Sequence, residues 1–216
     1  MKEKKDMEKG KISVATVAIA LIGVFLCGVG LAFNNCAGLG NDSVGIFYAG
    51  IRVFLGLSTE QLGIATNIVN LTLLIVVFFM GRRYLSIGTF IYLIPYGFCV
   101  SAGTAIYSVL SISDAFPIRV RFAFLGSVLI CAVVALFITV DIGVDPMTGV
   151  VLILADKLKK EYRIVKIGYD LTLLVLGFFL GGKIGVVTLV TGFCIGPCIQ
   201  FLNHKFENCL FKNTRK

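Results

Sequence analysis

Two aspartates open the two shortest apolar segments of this chain, and each one follows a glycine-containing turn. The first turn reads GNDS at positions 40–43, and the second reads GVDP at positions 143–146. Aspartate is favoured as the N-terminal cap of a helix and proline as its first residue, so one interpretation of Asp42 and Asp145 is capping. The other is that both carboxylates also line a site, because short segments in matched positions, interrupted by Gly or Pro, are typical of transport sites.

A second pair of polar residues, Asn70 and Asp170, lies inside long apolar segments. An ionisable side chain within a bilayer is costly, which makes Asp170 a functional candidate, whereas the plainer interpretation is an interhelical hydrogen bond of about 1 kcal/mol. Amide and carboxylate oxygens would suit a cation or an amine, but helix N-termini favour an anion, and the sequence leaves this choice open. The predicted substrate-binding residues are Asp42, Asp145, Asp170, Asn70, Asn41 and Asp141.

The matched positions of these residues belong to a longer internal similarity. Besides the two turns, NLTLL at 70–74 returns as DLTLL at 170–174, and GFCV at 97–100 returns as GFCI at 192–195. Three matched blocks in the same order indicate an internal duplication. In an apolar chain, a duplication is typical of proteins that build one site between two halves.

The composition is that of a membrane protein. Of the 216 residues, 57% are apolar and 15% are charged, and the mean hydropathy is +0.95, so a water-soluble surface would lack polar side chains. Residues 2–11 carry five lysines ahead of a long apolar run without the cleavage site of a signal peptide. We therefore expect a retained anchor, a multi-pass protein of the cell membrane and a cytoplasmic N-terminus. The net charge of +8 is concentrated at segment ends and tails, which favours membrane lipids over nucleic acid as partners.

The pattern predicts an all-α membrane protein with two homologous repeats, each with three long transmembrane helices and one short, half-length helix. The short segments, at 43–57 and 147–158, cover too little length to span a bilayer of roughly 30 Å easily. We therefore expect both to enter and leave on one side, which makes the repeats inverted; the alternative is eight crossings with parallel repeats. The predicted long helices are 12–33, 61–81, 85–109, 119–140, 165–181 and 184–202.

The expected organisation divides the chain into five parts. A hinge is expected where Pro117 stops a continuous helix. The parts are a basic cytoplasmic tail at 1–11, a first membrane repeat at 12–110, the hinge at 111–118, a second membrane repeat at 119–203 and a basic C-terminal tail at 204–216.

Little in the chain indicates catalysis, a metal or a cofactor. The seven cysteines mostly lie in apolar segments, where cysteine behaves as a small hydrophobic residue. Cys194 and Cys198 share a helix face but lack a His or carboxylate at zinc-site spacing. The lone histidine, His204, has no nucleophile beside it, and the sequence contains no phosphate-binding or dinucleotide-binding loop. We expect a protein that is not an enzyme and binds neither metal nor cofactor.

The turns also resemble those of a known family. The residues that carry the resemblance are Gly38, Gly40, Asp42, Gly143, Asp145, Pro146 and the pair Gly88 and Thr89. Together with the order of the segments, they are similar to the YczE/YyaS/YitT group of bacterial integral membrane proteins, over most of residues 12–204. The resemblance implies a multi-pass protein of the bacterial inner membrane, and it implies no particular activity.

These features favour a small secondary transporter or permeation protein, with a site for a small molecule or an ion between the two repeats. The alternative is a membrane scaffold or accessory protein, in which the duplication serves helix packing alone. A hydrated space reached by Asp42, Asp145 and Asp170 would favour transport, whereas tightly packed helices would favour a scaffold. A homo-oligomer is compatible with both.

Overall fold

The computed structural model describes residues 14–85, 87–110, 115–140 and 145–210, and within these ranges it consists of helices and turns without a strand. Two of the α-helices described are short, and they begin at the two aspartate turns. The α-helices are α1 (Val14–Ala37), α2 (Ser43–Phe54), α3 (Leu62–Met80), α4 (Ile87–Val109), α5 (Phe116–Val140), α6 (Pro146–Leu158), α7 (Tyr162–Phe179) and α8 (Val186–Leu210). The predicted all-α fold is confirmed.

Some helix ends differ from the prediction. α1 continues through Ala37, across two asparagines that usually favour turns. Tertiary partners explain the difference, because the amide of Asn34 donates to Asn41 Oδ1 at 3.3 Å and to Ser127 Oγ at 3.2 Å. α8 extends to Leu210, so the segment predicted as a basic tail from residue 204 begins as helix. The hinge predicted at 111–118 ends earlier, since α5 begins at Phe116.

The long helices have the length and apolarity of membrane spans. Within the described residues, four of them pass both criteria, and α8 adds a fifth if its two parts, which meet at an angle of 55°, count as one span. α7 has 18 residues but carries Arg163, Lys166 and Asp170. The 12 residues of α2 and 13 of α6 rise about 18–20 Å, less than a bilayer core. The four spans are Val17–Ala37, Thr59–Met80, Thr89–Val109 and Phe116–Phe137.

α1 and α5 pack along each other in opposite directions. A Cβ built on Gly23 would lie 3.4 Å from Val133, and one built on Gly30 would lie 2.7 Å from the carbonyl oxygen of Gly126. Later residues of α1 therefore face earlier residues of α5. The close approach at Gly30 requires glycine, because a side chain there would overlap the facing backbone.

α1 and α4 run in the same direction. Cys27 contacts the hydroxyl of Tyr96, and further along both helices the rings of Phe33 and Tyr107 meet edge to face, with centroids 5.8 Å apart. α1 therefore lies between α4, which is parallel to it, and α5, which is antiparallel.

α3 and α4 run in opposite directions. Gly63 faces Ser101, and one turn later in α3 the Asn67 Oδ1 atom accepts a hydrogen bond from the Gly97 N–H at 3.1 Å. Since α4 is parallel to α1, α3 runs opposite to α1. The segment between α1 and α3, which contains α2, therefore begins and ends at the same end of these two helices.

Each short helix packs against a long helix from the other half of the sequence. α2 lies along α7, where a Cβ built on Gly50 would be only 2.4 Å from the carbonyl oxygen of Gly177. α6 lies along α3, where Gly149 faces Val77. The largest core cluster joins residues of both halves: Val24, Cys27, Leu31, Ala32, Tyr48, Leu62, Val69, Tyr96, Val100, Val133, Met147 and Leu173.

Candidate functional site

Asp42 and Asp145 are the N-terminal caps of the two short helices. Asp42 has an extended backbone, and its Oδ1 accepts a hydrogen bond from the Gly45 N–H at 3.2 Å. Asp145 accepts two bonds from Thr148, one from its N–H at 3.1 Å and one from its hydroxyl at 2.6 Å. Pro146 follows as the first helical residue. The capping interpretation of both aspartates is therefore confirmed.

The two caps lie near the same buried groups. Both carboxylates interact electrostatically with the Tyr48 hydroxyl and with the Cys27 thiol. These two side chains lie on α2 and α1, and they are 2% and 5% exposed. The N-termini of α2 and α6 therefore converge on one region inside the bundle, although each short helix packs against a different long helix.

Three tyrosines and an asparagine complete this region, which we call the central cluster: Cys27, Tyr48, Asn70, Tyr92 and Tyr96. The rings of Tyr92 and Tyr96 stack with centroids 4.6 Å apart. The Cys27 thiol contacts the Tyr96 hydroxyl at 3.9 Å. The Tyr48 hydroxyl donates to Asn70 Oδ1 at 2.8 Å, which ties α2 to α3.

Asn70 is completely buried and incompletely bonded. Its side chain is 0% exposed, and its Nδ2 atom finds no hydrogen-bond partner in the part of the chain that the structure describes. Leaving a buried polar group unpaired costs about 1–3 kcal/mol. Such a group is uncommon in a natural core, and it marks a place where a ligand or a water molecule would be stabilised.

α7 brings an ion pair to the edge of the central cluster. Lys166 and Asp170 are one turn apart and bond directly, and each side chain is about one-third exposed. The Asp42 carboxyl interacts electrostatically with both of them. Between them, Tyr169 donates its hydroxyl to Met147 Sδ at 3.2 Å, which joins α7 to the first turn of α6.

Asn41 has a positioning role in the turn before α2. It is 3% exposed, and its Oδ1 accepts from the Asp42 N–H at 2.9 Å, while its own N–H donates to Thr188 Oγ1 at 3.3 Å. The preceding Gly40 has a φ of 99°, and a Cβ there would lie 2.4 Å from Thr188 Oγ1. The turn is thus fixed against the start of α8, and this fixes the position of Asp42.

The predicted site residues that the structure describes lie at the central cluster, in the ion pair beside it and in the turn before α2. Asp42, Asp145 and Asn70 meet at the central cluster, and Asp170 lies beside it in the ion pair with Lys166. Asn70 and Asp170, the matched polar pair of the two long apolar segments, bond to different partners. Asn41 lies in the turn, and Asp141 lies outside the described residues.

The two halves differ at one helix pair. α3 packs along α4, but the matching helices α7 and α8 make at most marginal contact in the described ranges. Gly97 of α4 meets Asn67, whereas Gly192, its counterpart in α8, and Gly168 of α7 have no atom within 4 Å of a built Cβ. The half-buried Lys166 lies on α7, one of the two helices that make this marginal contact. One surface cavity in the described ranges lies elsewhere, between Met80, Tyr84, Ile153 and Asp156 at the ends of α3 and α6.

Several residues of this region were missed by sequence reasoning. Lys166 had a readable signal, because a lysine four residues before an aspartate forms an ion pair on a helix. Tyr48 is the only tyrosine in its short segment, but nothing in the sequence shows that it faces Asn70. Cys27, Tyr92 and Tyr96 look like ordinary core residues. Within the described ranges, no group of three or more His, Cys, Asp or Glu side chains is arranged to hold a metal ion.

The apolar spans and the buried polar cluster define a helical protein with the features of a multi-pass membrane protein. A family model matches residues 14–204, and the chain belongs to that family, DUF6198, a family of unknown function. The chain is also similar to an uncharacterized protein of Haemophilus influenzae (strain Rd), with 24% identity over 186 residues, which are 86% of this chain and 82% of that protein. No solved structure matches. The finer resemblance to the YczE/YyaS/YitT group stays a prediction.

Proposed function

We propose that this protein is a small secondary transporter or permeation protein, with its substrate site at the central cluster. The observation that carries the proposal is the convergence of Asp42 and Asp145 on Tyr48 and Cys27. Short helices that begin inside a membrane are tolerated where they are buried in protein or line a cavity. Two of them, meeting at a polar cluster with an unpaired amide, are better suited to a ligand than to packing alone.

Helix directions support two inverted repeats with three crossings each. α1 and α5, the first helices of the two halves, run antiparallel, as inversion requires. α1 and α3 also run in opposite directions, so α2 returns to the side from which its segment enters. The exchange of partners, α2 with α7 and α6 with α3, is what a two-fold axis between the halves would produce.

The charge distribution supports a cytoplasmic N-terminus. The last residues of α3 and α6 lie at the same end of the bundle, and α1 begins at that end. The basic residues described at this end are Arg82, Lys157, Lys159, Lys160, Arg163 and Lys205, and five further lysines precede α1 in the sequence. The opposite end carries Arg52, Arg119, Arg121 and Lys183. The more basic end faces the cytoplasm under the positive-inside rule.

The alternative proposal, a membrane scaffold, is favoured by the packing of the central cluster. Tyr48 and Asn70 are 2% and 0% exposed, so the packing of α2 against α3 shields both side chains from solvent. A transporter would have to open this contact or admit its substrate beside α7. A scaffold would keep it closed.

The two proposals separate in reconstituted vesicles. We expect the purified protein in liposomes to produce substrate-dependent charge movement or uptake in a panel of small cations, anions and neutral solutes. Asp42→Asn and Asp145→Asn keep the capping oxygen and should abolish that flux while leaving the melting temperature nearly unchanged. Glu60→Gln, an exposed carboxylate beside the start of α3, is the matched control. If no solute moves, or if both Asn variants retain full flux, the transporter proposal is wrong and the scaffold takes its place.

A further inference from the structure

We propose that the central cluster takes a monovalent cation, either an alkali metal ion or a small ammonium ion. This inference rests on the proposed function for the location of the site, and it adds the charge of the ligand. The sequence alone leaves cation and anion equally open, because acidic residues favour one and helix N-termini the other. The contacts of the two aspartates decide between them.

One donor at each helix N-terminus is already taken by the cap of that helix. The Gly45 N–H at the start of α2 donates to Asp42, and the Thr148 N–H and hydroxyl at the start of α6 both donate to Asp145. An anion bound to these donors would have to displace a carboxylate from its own helix and would lie beside two negative charges. A cation leaves both caps intact.

The local charges sum to about one negative charge. Lys166 bonds directly to Asp170, so this pair is neutral as a whole. Asp42 and Asp145 remain, and each helix N-terminus offsets roughly half of one negative charge. The remainder matches one singly charged cation. A divalent ion would leave an excess positive charge in a region that is mostly buried.

Oxygen atoms without a full set of partners are available at the cluster. Asp42 uses only Oδ1 to accept from Gly45, so its second carboxylate oxygen takes no part in the α2 cap. Asn70 is fully buried with its Nδ2 unpaired. The two ends of an amide are nearly indistinguishable by shape, and in the reversed orientation Nδ2 donates to Tyr48 and the carbonyl oxygen is the unpaired atom. A cation would then be bound by Asp42, Asn70 and the hydroxyl of Tyr48.

The neighbouring rings also favour a positive charge. Tyr92 and Tyr96 stack beside Tyr48, and each interacts electrostatically with at least one of the two aspartates. The face of an aromatic ring attracts a cation and repels an anion. The rings suit a small ammonium ion as well as an alkali ion, and the melting series below distinguishes these two kinds of cation.

The experiment is a melting series on the full-length protein in detergent, at constant ionic strength. The reference salt is N-methyl-D-glucamine chloride, whose cation is much larger than an alkali metal ion or methylammonium. NaCl, KCl and methylammonium chloride replace it in turn, and in a second arm the anion alone is changed to nitrate, formate or acetate. We expect saturable stabilisation by at least one small cation and no effect of the anion.

Three variants identify the site. Asp42→Asn and Asn70→Leu should weaken the apparent cation affinity at least tenfold, and Glu60→Gln should leave it unchanged. Anion-dependent stabilisation that Asp42→Asn removes would overturn the cation assignment while leaving a substrate site at the cluster. No stabilisation of the wild-type protein by any of the three cations also overturns it, and the vesicle flux experiment then reports separately whether the protein transports.

Discussion

The hydrogen bond between Tyr48 and Asn70 allows stability and ligand binding at the central cluster to be separated. The bond is 2.8 Å long and buried, and it joins α2 to α3, while the second polar atom of the Asn70 amide is unpaired. The double variant Tyr48→Phe with Asn70→Leu replaces every polar atom of the contact by an apolar group of similar size. We expect it to fold, to be at least as stable as the wild type, and to lose the ligand response.

The magnitudes follow from the contacts. A buried hydrogen bond contributes about 0.5–1.5 kcal/mol net, and an unpaired buried polar atom costs about 1–3 kcal/mol. The double variant loses the first and removes the second, so its free energy of unfolding should be unchanged or higher by up to about 2 kcal/mol. Tyr48→Phe alone leaves both polar atoms of Asn70 unpaired and should be destabilised by about 1–3 kcal/mol. Asn70→Leu alone removes the unpaired Nδ2 atom but leaves the Tyr48 hydroxyl without its acceptor. Its free energy of unfolding should therefore be close to that of the wild type.

The assay is thermal melting in detergent, first in the reference salt and then across a titration of the stabilising cation. For a chain of this size, 1 kcal/mol corresponds to about 2–4 °C. The expected order of melting temperatures without ligand places Tyr48→Phe lowest and the double variant at or above the wild type. With ligand, only the wild type should rise.

Two results would refute this reasoning. A double variant that melts well below the wild type would mean that the polar contact stabilises the core and that the amide has a partner. A double variant that keeps the full cation response would mean that the ligand, if there is one, binds away from Tyr48 and Asn70.

Two further predictions concern topology and packing. After replacement of the native cysteines, a cysteine at Arg83 should label from the cytoplasm and one at Val120 from outside, because α2 returns to its side of entry; the opposite pattern means four crossings per half. Gly50→Ala should lower the melting temperature sharply and reduce the folded yield, because the new Cβ would overlap the carbonyl oxygen of Gly177 at 2.4 Å. Gly168→Ala, with open space around it, should be neutral or more stable by up to about 1 kcal/mol, and equal effects at both positions would contradict the observed packing of α2 on α7.

Much of the fold could be predicted because its signals are local. Long apolar runs give the long helices, and the aspartates mark the starts of α2 and α6, since capping depends on residues within one turn. The start of the 3₁₀ turn before α3 was equally readable: Gln61 accepts from the Ser58 N–H at 2.9 Å, as the sequence of a capping box predicts. The end of α1 was missed because Asn34 is held by Asn41 and Ser127, which lie on other segments.

The site could be predicted only in part, because it depends on which helices exchange partners. Asp42, Asp145 and Asn70 were found by their matched positions in the predicted duplication. Tyr48 could not be assigned a partner from sequence, because its hydroxyl meets Asn70 across two helices. The ion pair between Lys166 and Asp170 could be predicted from their four-residue spacing. Its effect on the net charge of the site could not, because the sequence does not show that Asp42 lies near both residues.

Each short helix packs against a long helix of the other half, so groups from both halves of the chain lie around the central cluster. α2 carries Asp42 and Tyr48, and it packs on α7 of the second half, whose Lys166 and Asp170 interact with Asp42. The α2 cap lies near charges on α7, and the α6 cap lies near Tyr48 of α2, so a shift of either half against the other would change the charge around the cluster. That dependence supports the proposed transport function, because a site between two halves that move against each other would change its charge during the movement.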